Sequence, residues 1–228
     1  MKRSLSTPAF ISCALFLLCS YDKSKKESSD LNDKLANPYD VIIVPGVPYQ
    51  DPSLKMVLKA RMLWANFLFK KGFTKNIIFS GSAVYTPYIE GKMMKIYADS
   101  LGIPCANTFA EEEAEHSTEN IFYSVKMARE LGFKRIALAT DHYQAILLKG
   151  YIKKKFPDVE LITICYKNIN MKSELPKIDA ESAYTDLFVS LAERENKLKR
   201  FKGTMGKNII ETIKDSSFYG RVPLIVKN

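Results

Sequence analysis

Short runs of apolar, mostly β-branched residues alternate with longer amphipathic stretches along most of this chain, and no other feature constrains the fold as strongly. Four runs are continuous and end at small or polar residues, namely 41–44, 77–79, 136–139 and 161–164, and a weaker run covers 108–109. A continuous apolar run is typical of a strand that is buried on both faces of a parallel sheet.

Helical periodicity fills the stretches between these runs. It predicts helices over 53–70, 88–101, 118–131 and 142–155, and a further helix over 180–200. Strand–helix alternation at this spacing gives right-handed crossovers and a parallel sheet with helices on both faces. The expected fold class is therefore α/β, with a doubly wound, mainly parallel Rossmann-like sheet in a three-layer α/β/α sandwich over residues 39–228.

The N-terminal residues have the pattern of an export signal. Two basic residues at positions 2 and 3 precede a stretch that is uncharged to residue 21, with an apolar centre at 9–18. That centre is shorter than the roughly 20 residues that span a bilayer. We expect residues 1–21 to be a signal peptide or N-terminal anchor that places the protein at the membrane surface, outside the cytoplasm. Residues 22–38, which are polar and lysine-rich, are expected to form a flexible linker.

Cys19 stands where a bacterial lipoprotein carries its acylated cysteine. Leu18 departs from the small residue that usually precedes such a cysteine. Lipidation at Cys19, cleavage without lipidation and an uncleaved anchor all stay open.

The charge of +9 is spread along the whole chain, from 34 basic and 25 acidic residues. Such a balance suits an anionic membrane surface or a phosphorylated ligand as well as nucleic acid, but an exported chain without an aromatic–basic pattern is not expected to bind nucleic acid. The basic stretch 197–207 is interpreted as a solvated face or as a contact with anionic lipid head groups. Neither a phosphate-loop nor a dinucleotide-binding glycine motif occurs, and with two histidines and no cysteine cluster we expect no metal site.

In parallel α/β sheets, ligands bind beyond the carboxyl ends of the strands. The candidate ligand-binding residues at these ends are small or polar, and they are Gly46, Ser80, Gly81, Ser82, Thr118, Asn120, Thr140 and Asp141. Ser117 or Thr118 also fits the cap of the helix that follows, with Asn120 or Glu119 completing a capping box, and Asp141 fits the cap of the next helix. Ligand binding and capping are compatible at a helix N-terminus.

Arg61 lies among the apolar positions of the 53–70 helix. A guanidinium on the core side of a helix needs a carboxylate or a bound anion beside it. The alternative is an arginine whose stem is buried and whose charge reaches solvent.

His142 opens a predicted helix just past a strand end, where an imidazole is well placed to transfer protons. A histidine satisfied within the core is the alternative interpretation. Glu90, early in the 88–101 helix, is the candidate catalytic partner of His142, and a solvated surface charge is the alternative interpretation.

Several of these motifs follow one another in a known order: 42–46, Arg61, 78–81, Glu90, 117–120 and 139–143. The chain therefore resembles the YdcF/SanA/ElyC-like family, a domain of unknown function, and residues 215–223 are most similar to the SanA branch. The family's conserved polar positions map onto Arg61, Ser80, Glu90, Thr118, Asn120 and His142. The chain departs from the family at 47–48 and at Gln144, where a basic residue is usual.

The resemblance implies a Rossmann-like protein of the cell envelope, membrane-anchored and facing the periplasm. Family members are linked to barrier integrity, peptidoglycan or lipid-carrier metabolism, and vancomycin resistance. One branch is associated with S-adenosylmethionine, which makes a methyltransferase-like enzyme an alternative. The acidic residue that would bind the ribose at the end of the second strand is absent here.

Two functions follow as expectations. In the first, an enzyme acts on a phosphorylated or lipid-linked envelope precursor: Arg61 holds the anion, the amides of Gly46 and Gly81 cradle it, and His142 and Glu90 move protons. In the second, the same pocket only binds or escorts the precursor.

Overall fold

The structure, a computed structural model, describes residues 35–207 and Ile209. The predicted signal peptide or anchor, Cys19, most of the predicted linker and the 215–223 motif lie outside the described residues. The chain divides into two units, Met1–Pro38 and Tyr39–Asn228. The second unit contains the sheet and all the elements that surround it.

Five parallel strands form one sheet in the order β3-β2-β1-β4-β5. The strands are β1 (Val41–Pro45), β2 (Ile77–Ser80), β3 (Thr108–Glu111), β4 (Ile136–Thr140) and β5 (Glu160–Thr163). The chain moves outward from β1 to β3 and then returns to the other side of β1 for β4 and β5. This reversal confirms the predicted doubly wound, Rossmann-like sheet.

Four long helices cover the two faces of the sheet. They are α1 (Lys55–Lys70), α2 (Glu90–Ser100), α3 (Ser117–Glu130) and α4 (His142–Lys155). Because successive side chains of a strand point to opposite faces, Ile42 and Val44 pack in the core beneath α1 and α2. Val41 and Ile43 pack in the second core beneath α3 and α4. The three-layer arrangement is therefore as predicted.

The helix predicted over 180–200 is wrong. This stretch forms a 3₁₀ turn (Glu181–Ala183) and two short helices, α5 (Leu191–Arg194) and α6 (Lys197–Thr204). The Ser190 hydroxyl accepts from the Ala192 amide, and the Asn196 side chain accepts from the Lys199 amide at 2.9 Å. Since serine and asparagine compete with helical hydrogen bonding in this way, each begins a new helix instead of continuing one.

The carboxyl ends of the strands and the first turns of α2, α3 and α4 share one edge of the sheet, as the parallel topology requires. This edge holds nearly all the polar residues singled out from the sequence. Among the residues that the structure describes, no helix combines the length and the apolar character needed to cross a membrane.

Two helical glycines test how tightly α2 packs against the sheet. A Cβ at Gly91 would lie 2.5 Å from the Glu111 carbonyl oxygen, whereas a Cβ at Gly150 of α4 would meet nothing within 4 Å. We expect Gly91→Ala to lower the free energy of unfolding by about 1–3 kcal/mol through overpacking. Gly150→Ala should raise it by about 0.5–1 kcal/mol, because alanine restricts the unfolded chain. Urea denaturation measures both, and equal effects of the two substitutions would contradict this packing.

Candidate functional site

A cleft of about 160 Å³ lies at the carboxyl edge of the sheet. Its lining comes from distant parts of the chain and includes Gly46 after β1, Glu90 of α2, Asn120 of α3, Gln144 of α4 and Arg200 of α6. A doubly wound sheet places its ligand sites at this edge. The cleft is therefore the candidate functional site.

Glu90 is the buried acid of the cleft, with only 5% of its surface exposed. A Cβ at Gly46 would lie 2.2 Å from the Glu90 Oε2 atom, and one at Gly81 would lie 2.9 Å from it. Only glycine at these two strand ends leaves room for the carboxyl group. Burial raises the pKa of Glu90 to about 8, although the nearby charge of Arg61 lowers it in part. At neutral pH the group is therefore mostly a neutral carboxylic acid that is able to donate a proton.

No hydrogen bond to the Glu90 carboxyl group is formed by any other side chain or amide within the described part of the chain. A buried carboxyl without a partner is costly to a fold. Such a group at the wall of a cleft is a candidate for function.

Arg61 is buried and has a counter-ion within the chain. Its Nε and Nη2 atoms donate to Asp141 Oδ2, the former at 3.1 Å, and Nη1 donates to the carbonyl oxygens of Pro45 and Gly46 at 3.0 and 2.8 Å. Burial raises the pKa of Asp141, but the hydrogen bond and charge of Arg61 outweigh it and hold that pKa below its ordinary value. The structure thus supports the carboxylate-paired interpretation of Arg61. The guanidinium has only one N–H group left for a ligand.

Ser80 links the cleft to a second buried acid. Its hydroxyl lies within hydrogen-bonding distance of the Glu111 carboxyl and, at 2.8 Å, of Asn120 Oδ1. Burial raises the pKa of Glu111 to about 7, although hydrogen bonds from Ser80 and from the amides of Glu113 and Ala114 lower it. When Glu111 is protonated, its carboxyl group donates a hydrogen bond to the Ser80 hydroxyl. That hydroxyl in turn donates a hydrogen bond to Asn120 Oδ1. Ser80 therefore positions Asn120 at the cleft wall.

His116 is a further cleft residue and is held between two carboxylates. Its Nδ1 lies 3.1 Å from Glu119 Oε1, and its Nε2 lies 3.1 Å from Glu195 Oε2. Burial lowers the pKa of His116, but the two carboxylates together raise it above its ordinary value. Gly203 lies against the imidazole, since a Cβ there would be 2.3 Å from the ring. The His116 side chain thus joins the start of α3 to the α5–α6 segment.

Several candidate ligand-binding residues have internal partners instead. The Thr118 hydroxyl donates to the Gly203 carbonyl at 2.9 Å and so holds α6 in place. The Gly81 amide donates to the Glu111 carbonyl at 2.9 Å, and the Ser82 amide donates to Ala114. The prediction that the Gly81 amide cradles an anion is therefore wrong.

The first turn of α4 shows the same internal use of polar groups. The Thr140 hydroxyl donates to the Gln144 side chain at 2.5 Å, and Asp141 caps α4 by accepting from the Gln144 amide at 3.0 Å. The capping interpretation of Asp141 is thus confirmed. Both residues support the wall to which Gln144 belongs.

His142 lies apart from the cleft. It is the first residue of α4, it is solvent-exposed, and it does not line the cleft. The structure therefore gathers Arg61, Glu90 and Asn120 at one edge but leaves His142 outside. The prediction that His142 shares proton transfer with Glu90 has no support in this geometry, because Glu90 lines the cleft and His142 does not.

The residues at this edge do not fit S-adenosylmethionine. A carboxylate at the end of β2 would have to bind the ribose, and Ser80, which stands there, is committed to Glu111 and Asn120. Within the described residues, no three His, Cys, Asp or Glu side chains are grouped so as to hold a metal ion.

From the sequence, Glu111, His116 and Glu195 are assigned no individual role in the site. Glu111 ends a strand, as Ser80 does, so its position was the available signal. Nothing in the local sequence joins His116 to Glu195, because 79 residues separate them.

No protein-family model, curated protein or solved structure matches this chain. The resemblance to the YdcF/SanA/ElyC-like family therefore stays a prediction. The class of protein that the structure itself defines is a Rossmann-like α/β protein with a cleft at the carboxyl edge of its sheet.

The ion pair of Arg61 predicts a strong dependence of stability on this residue. Arg61→Ala leaves Asp141 and two carbonyl groups without their donor, so we expect a loss of about 3–5 kcal/mol in the free energy of unfolding. The matched control is Arg129→Ala, whose partly exposed pair with Asp158 should cost about 1 kcal/mol. Chemical denaturation compares the two variants. A small effect of Arg61→Ala would show that the arginine serves a ligand instead of the fold.

Proposed function

We propose that the protein binds a phosphorylated or lipid-linked precursor of the cell envelope in this cleft and acts on it, with Arg200 as the anion-binding residue and Glu90 as the proton donor. One observation carries the proposal: a neutral buried acid lines the same small cleft as an arginine that is unpaired among the described residues. The two groups complement an anionic substrate that must gain a proton.

Arg200 takes the role that the sequence suggested for Arg61. It is half-buried, its Nε atom is shielded from solvent without a hydrogen-bond partner, and its guanidinium forms no ion pair within the described residues. A guanidinium binds phosphate through paired hydrogen bonds. In a partly buried cleft this interaction is stronger than in bulk water.

Glu90 suits a phosphorylated substrate because it is neutral near pH 7. An ionised carboxylate in the same position would repel the anion. The protonated acid donates a hydrogen bond to an oxygen of the ligand, and it transfers its proton when that oxygen becomes the leaving group.

The cellular role rests on the N-terminal sequence and on the family resemblance. A signal peptide or anchor at residues 1–21 would place the domain outside the cytoplasm, at the membrane where such precursors are used. In that setting the protein would contribute to the envelope barrier.

A non-catalytic binding or escort factor is the second candidate. The observation that favours it is the position of His142 outside the cleft, which removes one of the two predicted proton-transfer residues. Glu90 then serves only to donate a hydrogen bond to the bound precursor.

Calorimetric titration with inorganic phosphate and pyrophosphate tests the anion site. Arg200→Gln should weaken binding by about tenfold or more, since a hydrogen bond to a charged group contributes about 1.5–3 kcal/mol. The matched control is Lys197→Gln, an exposed cation at the start of the same helix, which should leave affinity close to that of the unaltered protein. Equal losses in both variants would mean that the helix attracts anions only through its general charge.

The pH dependence and a Glu90 variant separate the two candidates. Affinity for pyrophosphate should fall as the pH rises through about 8, because Glu90 becomes a carboxylate and repels the anion. Glu90→Gln should remove this decline. If the protein is an enzyme, Glu90→Gln should also fail to complement an envelope defect in cells, whereas full complementation supports the binding factor.

A further inference from the structure

The outer face of α6 is apolar, which is the reverse of an ordinary surface helix. Leu198, Phe201 and Met205, spaced i, i+3 and i+7, are at least 60% exposed. The opposite side of the helix faces the protein, where Gly203 packs against His116. These three apolar side chains therefore do not contribute to the core of the domain, and packing within the domain does not explain why they are apolar.

The first two turns of α4 are apolar on both sides. Ala145 and Leu148 are buried against the sheet, while Tyr143, Ile146 and Leu147 are 82%, 61% and 70% exposed. The exposed residues share one face, since their spacing is i, i+3 and i+4. This helix thus presents a second unpartnered apolar stripe.

The two stripes flank the same cleft. Gln144 of α4 and Arg200 of α6 both line it. A Cβ at Gly206, just after α6, would lie 2.9 Å from the Tyr151 ring of α4, so the two helices are neighbours. We name the six exposed residues together the apolar rim: Tyr143, Ile146, Leu147, Leu198, Phe201 and Met205.

Every charged side chain of the two helices is basic. Lysines stand at 149, 153–155, 197, 199 and 202, with Arg200 among them, and no acidic residue occurs in either helix. His142, which is exposed at the start of α4, adds no negative charge. Only Lys199 is paired within the described residues, with Glu195 of the preceding segment at 3.1 Å. The two helices that carry the rim therefore also carry positive charge that no described residue other than Glu195 neutralises.

This charge distinguishes between the surfaces that could cover the rim. A second copy of the chain would bring lysines against lysines, which is repulsive. Residues 210–228 carry two acidic and three basic residues, so that segment cannot neutralise the lysines. Apolar side chains surrounded by lysines instead match an anionic lipid surface, where the apolar groups enter the acyl boundary and each lysine contributes about 1 kcal/mol.

We propose that the apolar rim and its lysines dock the domain on an anionic lipid bilayer and place the cleft beside the lipid head groups. The docking is a property of α4 and α6. It is distinct from any anchoring by residues 1–21, and it does not depend on the chemistry in the cleft.

Tryptophan scanning of the full-length chain tests the docking face. The chain has a single tryptophan, Trp64, which is buried. Leu147→Trp and Phe201→Trp each add a reporter to the rim, and the matched control is Leu131→Trp, an exposed position just after α3. The variants are reconstituted in vesicles of brominated phosphatidylcholine, with and without phosphatidylglycerol. Since residues 1–21 are the same in every variant, differences between variants report only on the domain.

We expect the tryptophans at positions 147 and 201 to be quenched by the brominated chains in phosphatidylglycerol vesicles and much less in phosphatidylcholine alone. The control position should stay unquenched in both. Changing Lys149, Lys153 or Lys202 to Gln should lower the docked-to-undocked ratio by about fivefold for each lysine, which corresponds to about 1 kcal/mol.

Three results would overturn the proposal. The first is an absence of quenching at both rim positions in anionic vesicles. The second is equal quenching at the control position, because the domain would then meet the membrane in no fixed orientation. The third is protection of the rim tryptophans from aqueous iodide without vesicles, because the C-terminal segment or a second copy would then cover the rim. None of these outcomes depends on phosphate binding by Arg200.

Discussion

The ion pair between Arg61 and Asp141 organises the carboxyl edge of the sheet. It joins α1 to the cap of α4, and the same guanidinium donates to the carbonyl oxygens of Pro45, the last residue of β1, and Gly46, which follows it. A buried arginine cannot lose its proton, so its position is fixed by the acceptors that surround it. The charge of Arg61 also lowers the pKa of Glu90, but burial of the carboxyl group outweighs it.

Because Asp141 pairs with Arg61, other residues determine the charge of the cleft. Glu90 occupies the space that Gly46 and Gly81 leave at two neighbouring strand ends, and its carboxyl group forms no ion pair with any residue that the structure describes. Glu111, Ser80 and Asn120 form a second polar chain whose hydrogen bonds are internal. Within the described residues Arg200 is the guanidinium of the cleft that has no ion-pair partner, so the proposed function assigns the ligand's negative charge to it. Arg61 thus stabilises the fold, whereas Arg200 is the residue proposed to bind the ligand.

Much of the fold was predictable from the sequence because a strand buried on both faces leaves a continuous apolar run, as in 41–44. The position of Glu90 and Asn120 at one edge followed from the same parallel topology. The long-range hydrogen-bond partners at this edge could not be predicted from the sequence pattern. His116 meets Glu195 only after α5 and α6 fold back on α3, and the break at Asn196 that permits this was hidden within a stretch of helical period. The prediction for His142 was wrong because the start of a helix fixes where the backbone of a residue lies. It does not fix whether the side chain faces the cleft or solvent.

The protonation state of Glu90 is the central claim, and carbon-13 NMR of labelled glutamate side chains measures it directly. Comparison with Glu90→Gln identifies the Glu90 carboxyl resonance, which is then followed as a function of pH. We expect the Glu90 carboxyl group to titrate with a midpoint near pH 8. A midpoint near 4.5, the ordinary value for a glutamate, would show that the carboxyl is ionised at neutral pH and would contradict its role as the proton donor of the cleft.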